Sequence, residues 1–109
     1  MPNFTLHDLE KRVKARAKAS ADVSYTRKLL DKGVAHCAKK LGEEATETVI
    51  AALSQDTRAL TREAADLLYH LLVLLESRDV PLRDVMAELE SRMGSSGLAE
   101  KATRGKSPQ

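Results

Sequence analysis

An apolar rhythm of threes and fours runs through Val34, Cys37, Ala38, Leu41, Ala45, Thr48, Val49 and Ala52. Only an α-helix gathers positions spaced in this way onto one face. A second segment, Leu67–Leu75, is apolar nearly all the way round, as befits a helix buried on several sides. Phe4, Tyr25 and Tyr69 are the only aromatic residues of the 109. The core must therefore be built from Leu, Val and Ala, which suit close-packed helices better than a β-sandwich. Chain length fits one domain. The fold class that follows is all-α, a bundle of about four to five helices. Short helices alone offer too little surface to bury Leu67–Leu75, so a homodimer with that helix at its centre is expected to complete the bundle.

Local signals place the helix ends. Thr5 with Asp8 resembles a capping box, and Phe4 could staple against Leu9 ahead of a stripe of Leu6, Leu9, Val13 and Ala17. Ala19–Val23 reads as a break. Ser24-Tyr25-Thr26 then stands at the mouth of a short helix ending at Gly33. The first long helix begins at Val34. Asp56 or Thr57 can cap the second, which is expected to run to about Glu76. Asp79-Val80-Pro81 supplies a cap and a first-turn proline for a last helix with Leu82, Val85, Met86, Leu89 and Met93 on one face. The helical domain is expected to span residues 1–93, with a flexible C-terminal tail over 94–109.

The chemistry is concentrated in two acidic groups, Glu43-Glu44-x-x-Glu47 and Glu63-x-x-Asp66. Helical spacing puts the carboxylates of each group on one side, where like charges repel by a few tenths of a kcal/mol per pair. On the first helix, His36, Lys40, Glu43, Glu44, Glu47 and Ala51 form a stripe beside the apolar one. On the second, Glu63, Asp66 and His70 project together, flanked by Leu67 and Leu74. Acids bordering a core must be protonated, paired or bound to a metal. Lys40 is the one lysine within the stripe, which leaves a negative excess. A solvated acidic face is the competing reading. Oxygen ligands without soft partners favour Mg²⁺ or Mn²⁺. Neither group is followed by histidine at the Glu-x-x-His spacing of di-iron bundles, which argues against iron. Paired cations can clamp a phosphoryl group and activate water, and Ser24-Tyr25-Thr26-Arg27-Lys28 and Lys39-Lys40 offer hydroxyls and cations for phosphate oxygens. Hydrolysis of a phosphoanhydride follows naturally.

Other features bound the partners. The net charge is only +2, and the surplus lies in Lys101, Arg104 and Lys106 against Glu100. The basic run Lys11–Lys18 has no interleaved aromatic platform and reads as a solvated face rather than a nucleic-acid site. No apolar segment is long enough to span a bilayer. No nucleic-acid or membrane partner is expected, and the location expected is cytoplasmic. Cys37, the only cysteine, permits no intrachain disulfide or cysteine-based zinc site and reads as a small core residue.

Taken together, Ser24-Tyr25-Thr26 with Leu29 and Gly33, Lys40-Leu41-Gly42-Glu43-Glu44-Ala45-Thr46-Glu47, Glu63-Ala64-Ala65-Asp66-Leu67-Leu68-Tyr69-His70 and Leu82…Val85…Glu88-Leu89…Arg92 resemble the phosphoribosyl-ATP pyrophosphatases. These are the histidine-biosynthesis branch of the MazG-like all-α pyrophosphohydrolases. The acidic groups mark the wider superfamily, while the Ser-Tyr-Thr triplet and the Ala-Asp-Leu-Leu-Tyr-His run are specific to this branch. The resemblance implies Mg²⁺-dependent cleavage between the α and β phosphates of phosphoribosyl-ATP, giving phosphoribosyl-AMP and pyrophosphate. It implies that Glu44, Glu47, Glu63 and Asp66 hold the metal, with Glu43 a further ligand or a guide for the attacking water. It further implies that Lys40 offsets triphosphate charge and that Ser24, Tyr25, Thr26 and Arg92 hold substrate phosphate or ribose. Two rival readings use the same residues: a general nucleoside-triphosphate pyrophosphatase, against which the triplet argues, and a non-catalytic helical dimer serving as an adaptor.

Overall fold

The hydroxyl of Thr5 accepts the Asp8 N–H at 3.1 Å, and the Asp8 carboxylate accepts the Thr5 N–H at 3.0 Å. This reciprocal cap starts the first of five helices in a computed structural model that describes residues 3–94. The helices are α1 (Leu6–Ala17), α2 (Tyr25–Asp31), α3 (Val34–Ser54), α4 (Thr57–Ser77) and α5 (Leu82–Met93). Among the described residues all regular structure is helical, and no helix is long and apolar enough to cross a membrane. Except for Gly94, the expected tail lies outside the described residues.

Caps account for most of the boundaries. Ser24 opens α2 by accepting the Arg27 N–H, and Asp56 opens α4 by accepting the Ala59 N–H at 2.8 Å. Gly33 joins α2 to α3 with φ +95°, a left-handed conformation that disfavours any residue with a Cβ. The start of α5 departs from expectation. Asp79 is not its cap but adopts φ 57° in the turn, and Pro81 stands just before the helix. The Leu82 N–H is capped from across the molecule, by Glu10 of α1 at 2.7 Å.

Helices α3 and α4 form an antiparallel pair turning at Gln55–Asp56, and the others pack around it. Every helix contributes to one aliphatic core: Val13, Leu29, Cys37, Leu72, Val73 and Leu82, flanked by Leu9, Leu30, Leu74, Leu75, Val85 and Tyr69. Cys37 is fully enclosed as a core filler, its thiol donating to the Leu29 carbonyl at 3.3 Å. Burial pushes that thiol's pKa up, as expected of an inert cysteine. Phe4 remains largely exposed and makes no buried staple.

The inward face of α3 coincides only in part with the one its apolar rhythm suggests. Cys37, Glu44 and Ala51 are buried, whereas Val34, Val49, Ile50 and Leu53 are exposed. Within one protomer α4 is the only long helix available to α3, and it meets the 37/44/51 line. Of the apolar stripe, Cys37 is buried and Leu41, Ala45 and Thr48 are half-buried, while Val34, Ala38, Val49 and Ala52 are left on the outside.

Candidate active site

The antiparallel pairing of α3 and α4 determines which acids can meet. Measured back from the turn at 1.5 Å per residue, Glu44 lies about 15 Å along α3 and Asp66 about 14 Å along α4. The two stand level, and Glu63 follows one turn nearer the loop. Carboxylate oxygens of Glu44, Glu63 and Asp66 all lie within 4.8 Å of one another. Glu44 is buried, Glu63 half-buried and Asp66 exposed, so the cluster opens from the helix interface toward solvent. Glu47, one turn beyond Glu44, is exposed and outside this tight trio.

Burial first, then the charges of Glu47, Asp66 and Glu63, push the Glu44 carboxyl above its usual range, while Lys40 partly opposes them. No cation pairs with Glu44, Glu63 or Asp66 among the described residues; Lys40 instead reaches Glu43 at 3.3 Å. His70 does not supply the missing charge. It is buried edge-on to Tyr69 and Tyr25, with ring centroids 5.0 and 6.2 Å away. Burial, and next the Lys40 charge, lower its pKa and favour the neutral ring.

The Ser-Tyr-Thr triplet divides into two roles. Ser24 is 2% exposed and its hydroxyl is committed, donating to the Arg16 carbonyl at 2.8 Å while accepting the Arg27 N–H. Thr26 is equally enclosed and shares a hydrogen bond with the Tyr69 hydroxyl. These contacts tie α2 to α1 and to α4. Tyr25, by contrast, is 53% exposed and lies near-parallel to Tyr69 at 6.4 Å. It also stands between two recesses. One, of about 210 Å³, is lined by Tyr25, Lys28, Leu29, Lys32, His36 and Lys40. The other, of about 390 Å³, includes Arg12, Arg16, Tyr25 and Tyr69. Lys40 connects the first recess to the acids through Glu43.

Arg92 lies apart on α5, its guanidinium Nε held by Glu88 at 3.0 Å, and it lines neither recess. The basic residues of Lys11–Lys18 are all exposed, as expected of a solvated face, but they are not all alike. Lys14 bridges to Glu76 at 2.9 Å, while Arg12 and Arg16 enter the larger recess. Their four-residue spacing on either side of buried Val13 was the available signal.

An all-α bundle of five helices with three carboxylates on its central pair is consistent with the MazG-like all-α fold. Comparison with known sequences narrows the class. The family model for phosphoribosyl-ATP pyrophosphohydrolase matches residues 6–93, and the chain belongs to that family. It is 60% identical over 104 residues to phosphoribosyl-ATP pyrophosphatase 1 of Bradyrhizobium diazoefficiens, covering 95% of this chain and 98% of the relative. The phosphoribosyl-ATP pyrophosphatase of Agrobacterium fabrum is 61% identical, covering 95% and 97%. That of Nitrobacter hamburgensis is 56% identical, covering 97% and 99%.

Proposed function

We propose that this chain hydrolyses the α–β phosphoanhydride of phosphoribosyl-ATP, giving phosphoribosyl-AMP and pyrophosphate, as a step of L-histidine biosynthesis in the cytoplasm. The reading rests above all on the acidic trio joined across α3 and α4 in a chain whose relatives carry that activity in their names.

The donor set suits Mg²⁺, or Mn²⁺ in its place. It consists only of oxygens, it includes a buried carboxylate with no paired cation, and its spread of 4.8 Å is close to the roughly 4 Å across a Mg²⁺ coordination shell. Glu44, Glu63 and Asp66 would hold the ion, with Glu47 joining by rotation of an exposed side chain. Bound there, the metal would draw charge from the phosphate oxygens and make water a better nucleophile.

The protein's own groups do the rest. Glu43, exposed and one position before Glu44, can orient the attacking water and accept its proton. Lys40, beside the acids, offsets the charge of the departing pyrophosphate, and Lys28 and Lys32 extend that cationic wall. Tyr25 offers an exposed ring on which adenine can stack. Ser24 and Thr26 hold Tyr25 in place from beneath, through bonds to Arg16 and Tyr69.

The homodimer belongs to the same reading. Val49, Ile50 and Leu53 on α3, Leu68 on α4, and Met86, Leu89 and Met93 on α5 leave more large apolar side chains outside than one protomer needs. A second copy would cover the α3 stripe and enclose α4.

Substrate choice tests the reaction. Purified protein given phosphoribosyl-ATP and ordinary nucleoside triphosphates side by side should release pyrophosphate far faster from the former. Equal turnover would instead make it a general triphosphate pyrophosphatase.

A further inference from the structure

The larger recess has no task in cleaving a triphosphate, yet its lining is specific. Arg12 and Arg16 stand four residues apart on α1, with Ser24, Thr26 and Tyr69 beneath them. No acidic residue lines this space. Neither guanidinium is paired with a carboxylate among the described residues, although neighbouring cations are: Lys14 with Glu76 and Arg27 with Asp31. Two arginines without anions, on a concave wall, are suited to a phosphate, because guanidinium forks match phosphate oxygens in pairs. The volume of about 390 Å³ falls within the roughly 300–1,000 Å³ of small-molecule clefts.

The floor is anchored to the arginines' own helix. The Ser24 hydroxyl donates to the Arg16 carbonyl, so α1 is held in register with the loop that presents Tyr25. Tyr25 borders this recess on one side and the lysine recess on the other. A ligand lying across Tyr25 therefore meets cations at both ends, but carboxylates only at the Lys40 end. Phosphoribosyl-ATP has that distribution of charge. Its triphosphate is the reacting end, and the phosphate of its phosphoribosyl group is a second anion remote from it. An ordinary nucleoside triphosphate lacks the second anion.

We propose that Arg12 and Arg16 bind the 5-phosphate of the substrate's phosphoribosyl group and so set the preference for this substrate over ordinary nucleoside triphosphates. The assignment rests on the reaction proposed above, and concerns the end of the substrate that does not react.

The test compares phosphoribosyl-ATP with the same molecule lacking the ribosyl 5-phosphate, in the wild type and in an Arg12→Gln/Arg16→Gln variant. Two charge-assisted contacts predict a wild-type preference in kcat/KM on the order of 100-fold for the phosphorylated substrate. The variant should reduce that preference to about threefold or less, chiefly through KM, while turnover of the dephosphorylated analogue stays as in the wild type. Lys11→Gln, on the exposed part of the same helix, should change neither substrate. Ribose 5-phosphate, as a direct probe, should bind the wild type and bind the single variants Arg12→Gln and Arg16→Gln progressively less, with helicity unchanged by circular dichroism.

A variant that keeps the wild-type preference, or that loses both substrates equally, overturns the assignment while leaving the reaction intact. A wild type that cleaves ordinary triphosphates but not phosphoribosyl-ATP overturns the reaction, and this assignment with it.

Discussion

Glu44 and Asp66 stand level on antiparallel neighbours and, with Glu63, bring their carboxylate oxygens within 4.8 Å of one another. Glu44 is enclosed by the helix interface with no cation bonded to it, so its ionised form is held at a cost that a bound divalent ion relieves.

That cost is measurable without substrate. Burial and the neighbouring acids raise the folded-state pKa of Glu44, so the folded protein binds this proton more tightly than the unfolded chain. Its stabilising contribution is complete below the unfolded value, near 4.5, and is lost as pH rises through the folded value. In chelator at pH 7.5, Glu44→Gln should therefore melt above the wild type, and the gap should narrow as pH falls toward 4.5. Saturating Mg²⁺ should raise the wild-type Tm and leave the variant's nearly unchanged. A variant that melts lower at pH 7.5 would contradict the account of this side chain.

Ser24 and Tyr25 should separate stability from binding. Ser24→Ala removes both the cap of α2 and the bond to Arg16, and should cost about 1–2 kcal/mol in denaturant unfolding. Tyr25→Ala deletes a mostly exposed ring, and should change stability little while raising KM for phosphoribosyl-ATP about tenfold. The reverse pattern would mean that the triplet's roles are exchanged.

The Glu10 cap holds α5 at one end. Glu10→Ala leaves the Leu82 N–H without its partner and should cost about 1 kcal/mol. Hydrogen exchange should locate the effect: amides of α5 should exchange faster, with those of α3 and α4 unchanged.

The exposed apolar stripe predicts a mass in solution of twice the 12.0 kDa chain by sedimentation equilibrium. Ile50→Asp, placing a charge in the middle of that stripe, should shift the equilibrium toward the monomer while the helical signal persists. A wild type that sediments as a monomer would remove the dimer from the account.

Periodicity carried much of this in advance. The long helices and the opposition of the two acidic groups were legible because three- and four-residue steps and a two-residue turn leave few ways to arrange them. Which face of α3 turns inward was only partly so, since periodicity defines a stripe but not its cover. Cys37, Glu44 and Ala51 face α4, and the more apolar Val34, Val49 and Ile50 remain outside. Ser24 and Thr26 were ambiguous for another reason: a hydroxyl that caps a helix and one that binds a phosphate use the same atom. The Glu10 cap and the recess of Arg12 and Arg16 depend on tertiary approach, across 72 residues in the case of Glu10 and Leu82. No local spacing announces such a contact.

The central claim is that the acids joining α3 and α4 hold the ion on which hydrolysis depends. It is tested most directly by pyrophosphate release from phosphoribosyl-ATP as Mg²⁺ is titrated into wild type and Asp66→Ala. The wild type should be inactive in chelator and saturate with Mg²⁺, and the variant should turn over at least 100-fold more slowly at any Mg²⁺ concentration while remaining folded. Full activity in chelator, or near-wild-type turnover by Asp66→Ala, would contradict it.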